Sequence, residues 1–123
     1  MSKEGELADL FPAVGHKYAV EFRADNGDGQ FRVQLEFHSL TSMTYRGIRP
    51  DGSLSPSSET VNITVEPIRD LLFLVTWKEQ QGTTVVHLED YKTETIITNI
   101  TNPTPEQDNP DFVKFHGTMT QIA

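Results

Sequence analysis

The sequence contains no cysteine, no long apolar run and comparatively few basic residues. Without cysteine, disulfides and thiolate metal sites are excluded, and the composition fits a reducing compartment, so we expect a cytoplasmic protein. The longest apolar run, residues 71–75, has the length of a strand and falls far short of the roughly 20 residues that span a bilayer. The first residues show no basic stretch followed by an apolar core, and we therefore expect no secretory signal.

The chain has 10 Lys and Arg against 18 Asp and Glu, which gives a formal net charge of −8. An acidic protein repels phosphate groups, so we expect neither a nucleic-acid partner nor an anionic membrane. A length of 123 residues fits one domain, residues 1–123, and is too short for two ordinary ones.

Apolar and polar residues alternate with period two from Lys17 onward, which indicates strands. Tyr18, Val20 and Phe22 form the apolar face of a first strand. A second strand places residues 31, 33, 35 and 37 on its apolar face. The intervening Asp-Asn-Gly-Asp-Gly, residues 25–29, predicts a tight hairpin, since these residues tolerate positive φ.

Six further strands follow, joined mostly by short turns. They are predicted over residues 42–49, 60–66, 71–79, 83–90, 94–102 and 112–122, with Pro67 ending the fourth strand. Connections this short favour antiparallel pairing. The sequence therefore predicts an all-β, antiparallel, up-and-down eight-stranded barrel, the closure that removes exposed edges and leaves room for one small ligand. An open sandwich is the alternative.

The N-terminal segment 4–11 has a different pattern. Leu7, Leu10 and Phe11 are spaced as i, i+3 and i+4, which predicts a short amphipathic helix ended by Pro12. Such a helix is unstable alone, so we expect it to cover an opening of the main fold.

Five pieces of the chain carry a resemblance to a known family. They are residues 11–15 (FPAVG), 57–61 (SSETV), 73–79 (FLVTWKE), 82–90 (GTTVVHLED) and 115–118 (FHGT). Together they resemble the MoaF-like family of small calycin, or lipocalin-like, barrels over most of the chain. The resemblance implies a lipocalin-like barrel and no particular chemistry.

A more distant resemblance is to the phenolic acid decarboxylases, which share this barrel. It implies an arginine and an acid inside the barrel, positions that Arg46 and Asp70 resemble. The two tyrosines of that family correspond to Phe22 and Ala24 here, so the resemblance does not supply the phenols that anchor a substrate carboxylate.

Arg46, His87 and Asp70 are the candidate catalytic residues. If Thr44, Arg46 and Ile48 face inward, the guanidinium needs a carboxylate partner inside the barrel, whereas the opposite facing puts Tyr45 inside and Arg46 in solvent. An inward His87 suits general acid or base chemistry near neutral pH, or it simply forms a hydrogen bond within the wall.

The four histidines lack the close spacing of metal ligands, so we expect no metal site and no cofactor. Trp77 ends an apolar strand, either as a plug against the N-terminal segment or as a surface on which a ligand stacks. The predicted ligand-binding residues are Tyr18, Phe22, Phe37, Tyr45, Arg46, Trp77, His87 and His116.

Three functions are compatible with these residues. The first is a barrel that binds a small hydrophobic or aromatic molecule. The second is a cofactor-free lyase, isomerase or cyclase that uses the same cavity. The third is a structural protein with a fully packed barrel. The segment 95–101 is rich in Thr and Ile and is compatible with a homodimer.

Overall fold

The computed structural model describes residues 11–24, 29–103 and 111–123. Within them the chain forms eight strands: β1 (Lys17–Ala24), β2 (Gln30–Phe37), β3 (Ser42–Ile48), β4 (Glu59–Arg69), β5 (Leu72–Lys78), β6 (Thr84–Asp90), β7 (Thr95–Asn102) and β8 (Asp111–Gln121). Each strand pairs antiparallel with the next, and β8 pairs with β1. The predicted up-and-down eight-stranded barrel is confirmed, and the open sandwich is excluded.

Barrel closure brings β1 and β8 into register with Phe22 opposite Gly117. A Cβ atom built on Gly117 would collide with the backbone of Glu21 and touch the ring of Phe22. Glycine is therefore required where the last strand passes the first at close range.

Two predicted strand boundaries were wrong. β4 does not end at Pro67 but continues to Arg69, because a register shift between Pro67 and Arg69 places the proline at an irregularity of the β4–β5 ladder. A bulge is a position where a strand tolerates the missing N–H of proline. Leu71 is not in β5 but in the preceding turn, with a φ of 59°.

The predicted N-terminal helix lies outside the described residues except at Phe11, which is not helical. Phe11 covers one end of the barrel and is buried. Its ring makes edge contacts with Phe37, Phe73 and Tyr91 at centroid distances of 5.4, 4.9 and 5.6 Å. We call this end, where residues 11–16 and the connections 38–41, 70–71 and 91–94 lie, the capped end.

The opposite end, where the connections 49–58 and 79–83 lie, is called the open end. Directly paired residues of antiparallel strands share a face, so the register assigns each side chain to the inside or the outside. The inner wall contains most of the buried apolar core, including Val20, Leu35, Met43, Val75 and Ile96.

No helix in the described parts of the chain is long and apolar enough to cross a membrane.

Candidate ligand-binding site

Two ionisable side chains of β6 face the inside of the barrel. His87 and Glu89 follow the buried Val85 at intervals of two, and they pair with the buried Val75 and Phe73 of β5. Their exposures are only 3% and 0%. Because burying charged or polar groups is costly without partners, these two residues need hydrogen bonds to each other or to their neighbours.

Glu89 is the central member of a hydrogen-bonded chain of three side chains. The Nδ1 atom of His87 lies 2.9 Å from Glu89 Oε2, and the hydroxyl of Tyr91 donates to Glu89 Oε1 at 2.6 Å. Burial, followed by the charge of Glu89 and the hydrogen bond to it, raises the pKa of Tyr91 far above its usual range. Burial and the charge of Glu89 also raise the pKa of Tyr18. Both tyrosines therefore stay neutral, and Tyr91 acts as a donor.

The contact with Glu89 fixes the orientation of the imidazole. A carboxylate accepts only, so we assign the Nδ1 proton of His87 to this hydrogen bond, which leaves Nε2 as the acceptor in the neutral ring. Nε2 makes no hydrogen bond within the described residues. The ring packs edge-on against Trp77 at 4.6 Å and near Phe22 at 5.8 Å. An oriented imidazole thus lies between two aromatic side chains.

Thr98 of β7 pairs directly with His87 and therefore lies beside it on the inner wall. It is fully buried, and its Oγ1 is the buried side-chain polar atom without a hydrogen-bond partner among the described residues. An unpaired buried hydroxyl costs about 1–3 kcal/mol. The inner wall therefore presents an unsatisfied polar group next to the imidazole.

The inner wall becomes accessible to solvent toward the open end. Phe31 faces inward opposite Phe22, yet it is 39% exposed while Phe22 is 2% exposed. Val33, Tyr45, Ile100, Val113 and Phe115 also face inward toward this end and are partly exposed, whereas Trp77 and Val85 are buried. The open half of the inner wall is therefore the part that lies nearest to solvent.

Two carboxylates lie at the rim of the open end. The hydroxyl of Tyr45 donates to Glu59 Oε1 at 2.7 Å, and the indole N–H of Trp77 donates to Glu79 Oε2 at 3.1 Å. The backbone N–H of Gln80 donates to the second oxygen of Glu59 at 2.9 Å. Burial and the hydrogen bond to Glu59 raise the pKa of Tyr45 well above its usual range, and Glu79 adds to the effect.

The structure places Arg46, Asp70 and His116 outside this site. Arg46 pairs with Gln34, on the face opposite that of Leu35, so it lies on the outer surface and Tyr45 is the inward residue. Of the two orientations that the sequence left open, the structure therefore has the one with Tyr45 inside and Arg46 outside. Asp70 is exposed in a turn at the capped end, and His116 is exposed on the outer face of β8.

The remaining predicted residues divide between the two halves of the barrel. Phe22, Tyr45, Trp77 and His87 line the half toward the open end. Tyr18 and Phe37 lie in the capped half, where their rings are 6.2 Å apart, and the cap covers them. Trp77 is not the plug against the N-terminal segment, because it lies in the open half and Phe11 fills the capped end.

The sequence analysis did not single out Glu89, Tyr91 or Thr98. The signal for Glu89 was present, since His87 and Glu89 share the face of Val85 in a period-two strand. Thr98 gave no such signal, because a threonine in a strand is ordinary. Its role depends on a neighbour that only the pairing of β6 with β7 supplies.

An open surface cleft of ≈ 400 Å³ lies beside the cap. Tyr18, Tyr91 and Met119 form part of its wall, and Glu94 lies at its edge. Tyr91 therefore borders this cleft while its hydroxyl donates to Glu89 inside the barrel. No cluster of three or more potential metal ligands occurs in residues 11–24, 29–103 and 111–123.

A closed eight-stranded barrel with a few polar groups on an apolar inner wall has the architecture of the lipocalin-like, or calycin, barrels. Within that class, the family model described as MoaF-like matches residues 14–120. The chain belongs to the MoaF-like family.

A solved structure from Burkholderia vietnamiensis, provisionally described as a beta-lactamase, has a similar fold. It superposes with a TM-score of 0.71 and 21% identity, over 90% of this chain and 96% of that chain. At this identity the similarity shows the fold alone. No curated protein matches the chain.

Proposed function

We propose that this barrel binds a small hydrophobic or aromatic molecule in its open half. The aromatic side chains of Phe22 and Trp77 would contact the body of the molecule. A polar group of the molecule would bond to His87 Nε2 and Thr98 Oγ1. The observation that carries the proposal is the buried, unpaired Thr98 hydroxyl next to an oriented imidazole.

In a fully packed barrel, the unpaired Thr98 hydroxyl would lower stability without serving any purpose. Ligand pockets are mostly apolar and contain a few convergent polar groups that orient the ligand. A buried hydroxyl without a partner lowers stability unless something supplies the missing hydrogen bond. A bound molecule would supply it, which favours a binding role over a purely structural one.

A cofactor-free lyase, isomerase or cyclase is the second candidate, and the His87–Glu89 contact favours it. A carboxylate that holds Nδ1–H leaves Nε2 available to accept a proton from a bound molecule. Here the same cavity would bind and convert its substrate. The distinction is whether the bound molecule leaves with a changed structure.

The description of the Burkholderia structure does not extend to this chain. Serine beta-lactamases depend on a serine nucleophile with a nearby lysine. In the eight strands, none of the residues that the register places on the inner wall is serine or lysine. The polar inner residues support binding or proton transfer rather than acyl transfer.

Two matched substitutions test the binding proposal. Val113 faces inward near the open end, since it pairs with Ile100, whereas Val86 is exposed on the outer face. We expect Val113→Phe to fill the pocket and weaken binding of 2-naphthol at least about tenfold, while Val86→Phe binds like the wild type. Trp77 is the single tryptophan and lines the site, so quenching of its emission reports binding.

Equal affinity of the two variants would place the ligand outside the barrel and contradict the proposal. NMR spectroscopy of the recovered ligand separates the two candidate functions, since an isomerase leaves the mass of its substrate unchanged. An unchanged structure supports a binding protein. A changed structure that persists in Val86→Phe and is lost on His87→Gln supports the enzyme.

A further inference from the structure

The cations of the barrel strands lie on one face only. In the eight strands, every Lys and Arg side chain lies on the outer face by register: Lys17, Arg23, Arg32, Arg46, Arg69, Lys78 and Lys114. The carboxylates lie on both faces, with Glu21, Glu36, Glu66 and Asp90 outside and Glu59, Glu89 and Asp111 inside. A ligand inside the barrel therefore meets carboxylates and no permanent cation from these strands.

The open end adds further negative charge. Glu79 accepts the indole N–H of Trp77 at the rim, close to Glu59 and Tyr45. Arg49 lies in the connection 49–58 at this end, and it is exposed.

The polar groups deeper inside are suited to accept a hydrogen bond. Glu89 takes the Nδ1 proton of His87, and this leaves Nε2 as an acceptor. The unpaired Oγ1 of Thr98 accepts or donates. A ligand hydroxyl or amino group can donate to Nε2, whereas a carboxylate would place a second acceptor against it in a site of low dielectric constant.

We infer that the ligand of this site is an aromatic molecule with a hydrogen-bond-donating hydroxyl or amino group, a phenol or an aromatic amine, and that aromatic carboxylates are excluded. The inference rests on the proposed binding function and specifies its ligand class. Arg46 lies on the outer face and offers no cation to a carboxylate inside the barrel.

Three probes that share a methylphenyl group test the inference at pH 7: toluene, 4-methylphenol and 4-methylbenzoate. Their dissociation constants follow from titrations monitored by protein NMR. We expect 4-methylphenol to bind about five- to tenfold more tightly than toluene because it gains a hydrogen bond. We expect 4-methylbenzoate to bind more weakly than toluene because it brings a further negative charge into a barrel that already contains carboxylates.

A charge-neutral variant tests the physical cause. In the double variant Glu59→Gln/Glu79→Gln, the amide oxygens still accept from Tyr45 and Trp77, the exposed bond from the Gln80 N–H is lost, and the two negative charges are gone. Affinity for 4-methylbenzoate should rise while that for 4-methylphenol stays the same. The control Glu21→Gln/Glu36→Gln removes the same charge from the outer face and should leave both affinities unchanged.

The outcomes separate this inference from the proposed function. If 4-methylbenzoate binds the wild type as tightly as 4-methylphenol, the ligand class is wrong although the pocket exists. If all three probes fail to bind, the pocket itself is wrong, and both proposals fall. The wild-type series decides these points even if the double variant does not fold.

Discussion

At the scale of single residues, the inner wall combines a well-satisfied acid with an unsatisfied hydroxyl. Glu89 is fully buried and has two hydrogen-bond partners, whereas Thr98, also fully buried, has none for its Oγ1. Folding stability accounts for the first arrangement, because an unpaired buried carboxylate would be strongly destabilising. Stability does not account for the unpaired Thr98 hydroxyl, which is why we propose that this hydroxyl binds a ligand.

Replacing Thr98 with valine separates stability from binding. Valine keeps the branched shape and removes the unpaired oxygen, so the free energy of unfolding of the unliganded protein should stay unchanged or rise by up to about 1 kcal/mol. Affinity for 4-methylphenol should fall several-fold. Urea denaturation and ligand titration measure the two quantities.

Thr101→Val provides the matched control on the outer face of the same strand. It should leave both quantities close to wild type. A clear loss of stability in Thr98→Val would show that its hydroxyl has a structural partner, and would remove the argument for the site.

At the scale of elements, turns at the capped end contain local strain. Leu71 and Glu94 are non-glycine residues with a φ of 59°, a left-handed conformation that side chains disfavour. Their carbonyls accept backbone hydrogen bonds from Tyr91 and Met119 at 2.8 and 2.9 Å. The pairing of neighbouring segments holds both residues in a conformation that their sequence does not favour.

Glu94→Gly should relieve this strain. Because Glu94 is exposed, its side chain contributes little packing, and we expect the free energy of unfolding to rise by about 0.5–1 kcal/mol. Lys92→Gly in the same connection has no positive φ to relieve. It should lower stability by a similar amount, and thermal denaturation distinguishes the two signs. Equal destabilisation by both variants would show that the backbone at Glu94 is not strained.

At the scale of the whole molecule, folding into the barrel raises the pKa values of the tyrosines. The chain has three tyrosines, and the pKa of each is raised, chiefly by burial. The unfolded chain releases these protons near pH 10, whereas the folded protein retains them. Their contribution to stability is therefore complete below pH 10 and is lost as the pH rises above it.

We expect no tyrosinate absorbance at 295 nm from the folded protein near pH 10, and a cooperative appearance of that absorbance when alkali unfolds it. Tyr91 alone should contribute a slope of about 1.4 kcal/mol per pH unit above pH 10. Tyr91→Phe should flatten the dependence. A gradual titration near pH 10 without loss of the far-UV spectrum would show that the tyrosines are accessible.

Local pattern was sufficient to predict the barrel. Period-two alternation from Tyr18 onward, glycine-containing turns and the lack of crossover-length connections limited the chain to an antiparallel meander. Closure followed because a meander of eight strands otherwise leaves two edges exposed. Boundaries near Pro67 and Leu71 were missed, because a bulge and a strained turn depend on the partner strand rather than on local propensity.

The sequence by itself determined that strands alternate, how many there are and that His87 and Glu89 share one face. Only the tertiary structure decided which face is inside, because a period-two pattern gives two faces but does not orient them where both are polar, as at Tyr45 and Arg46. It also placed Thr98 beside His87, and it put Glu59 and Glu89 inside and every strand cation outside. These facts depend on cross-strand register, which joins residues far apart in the chain and has no local signature.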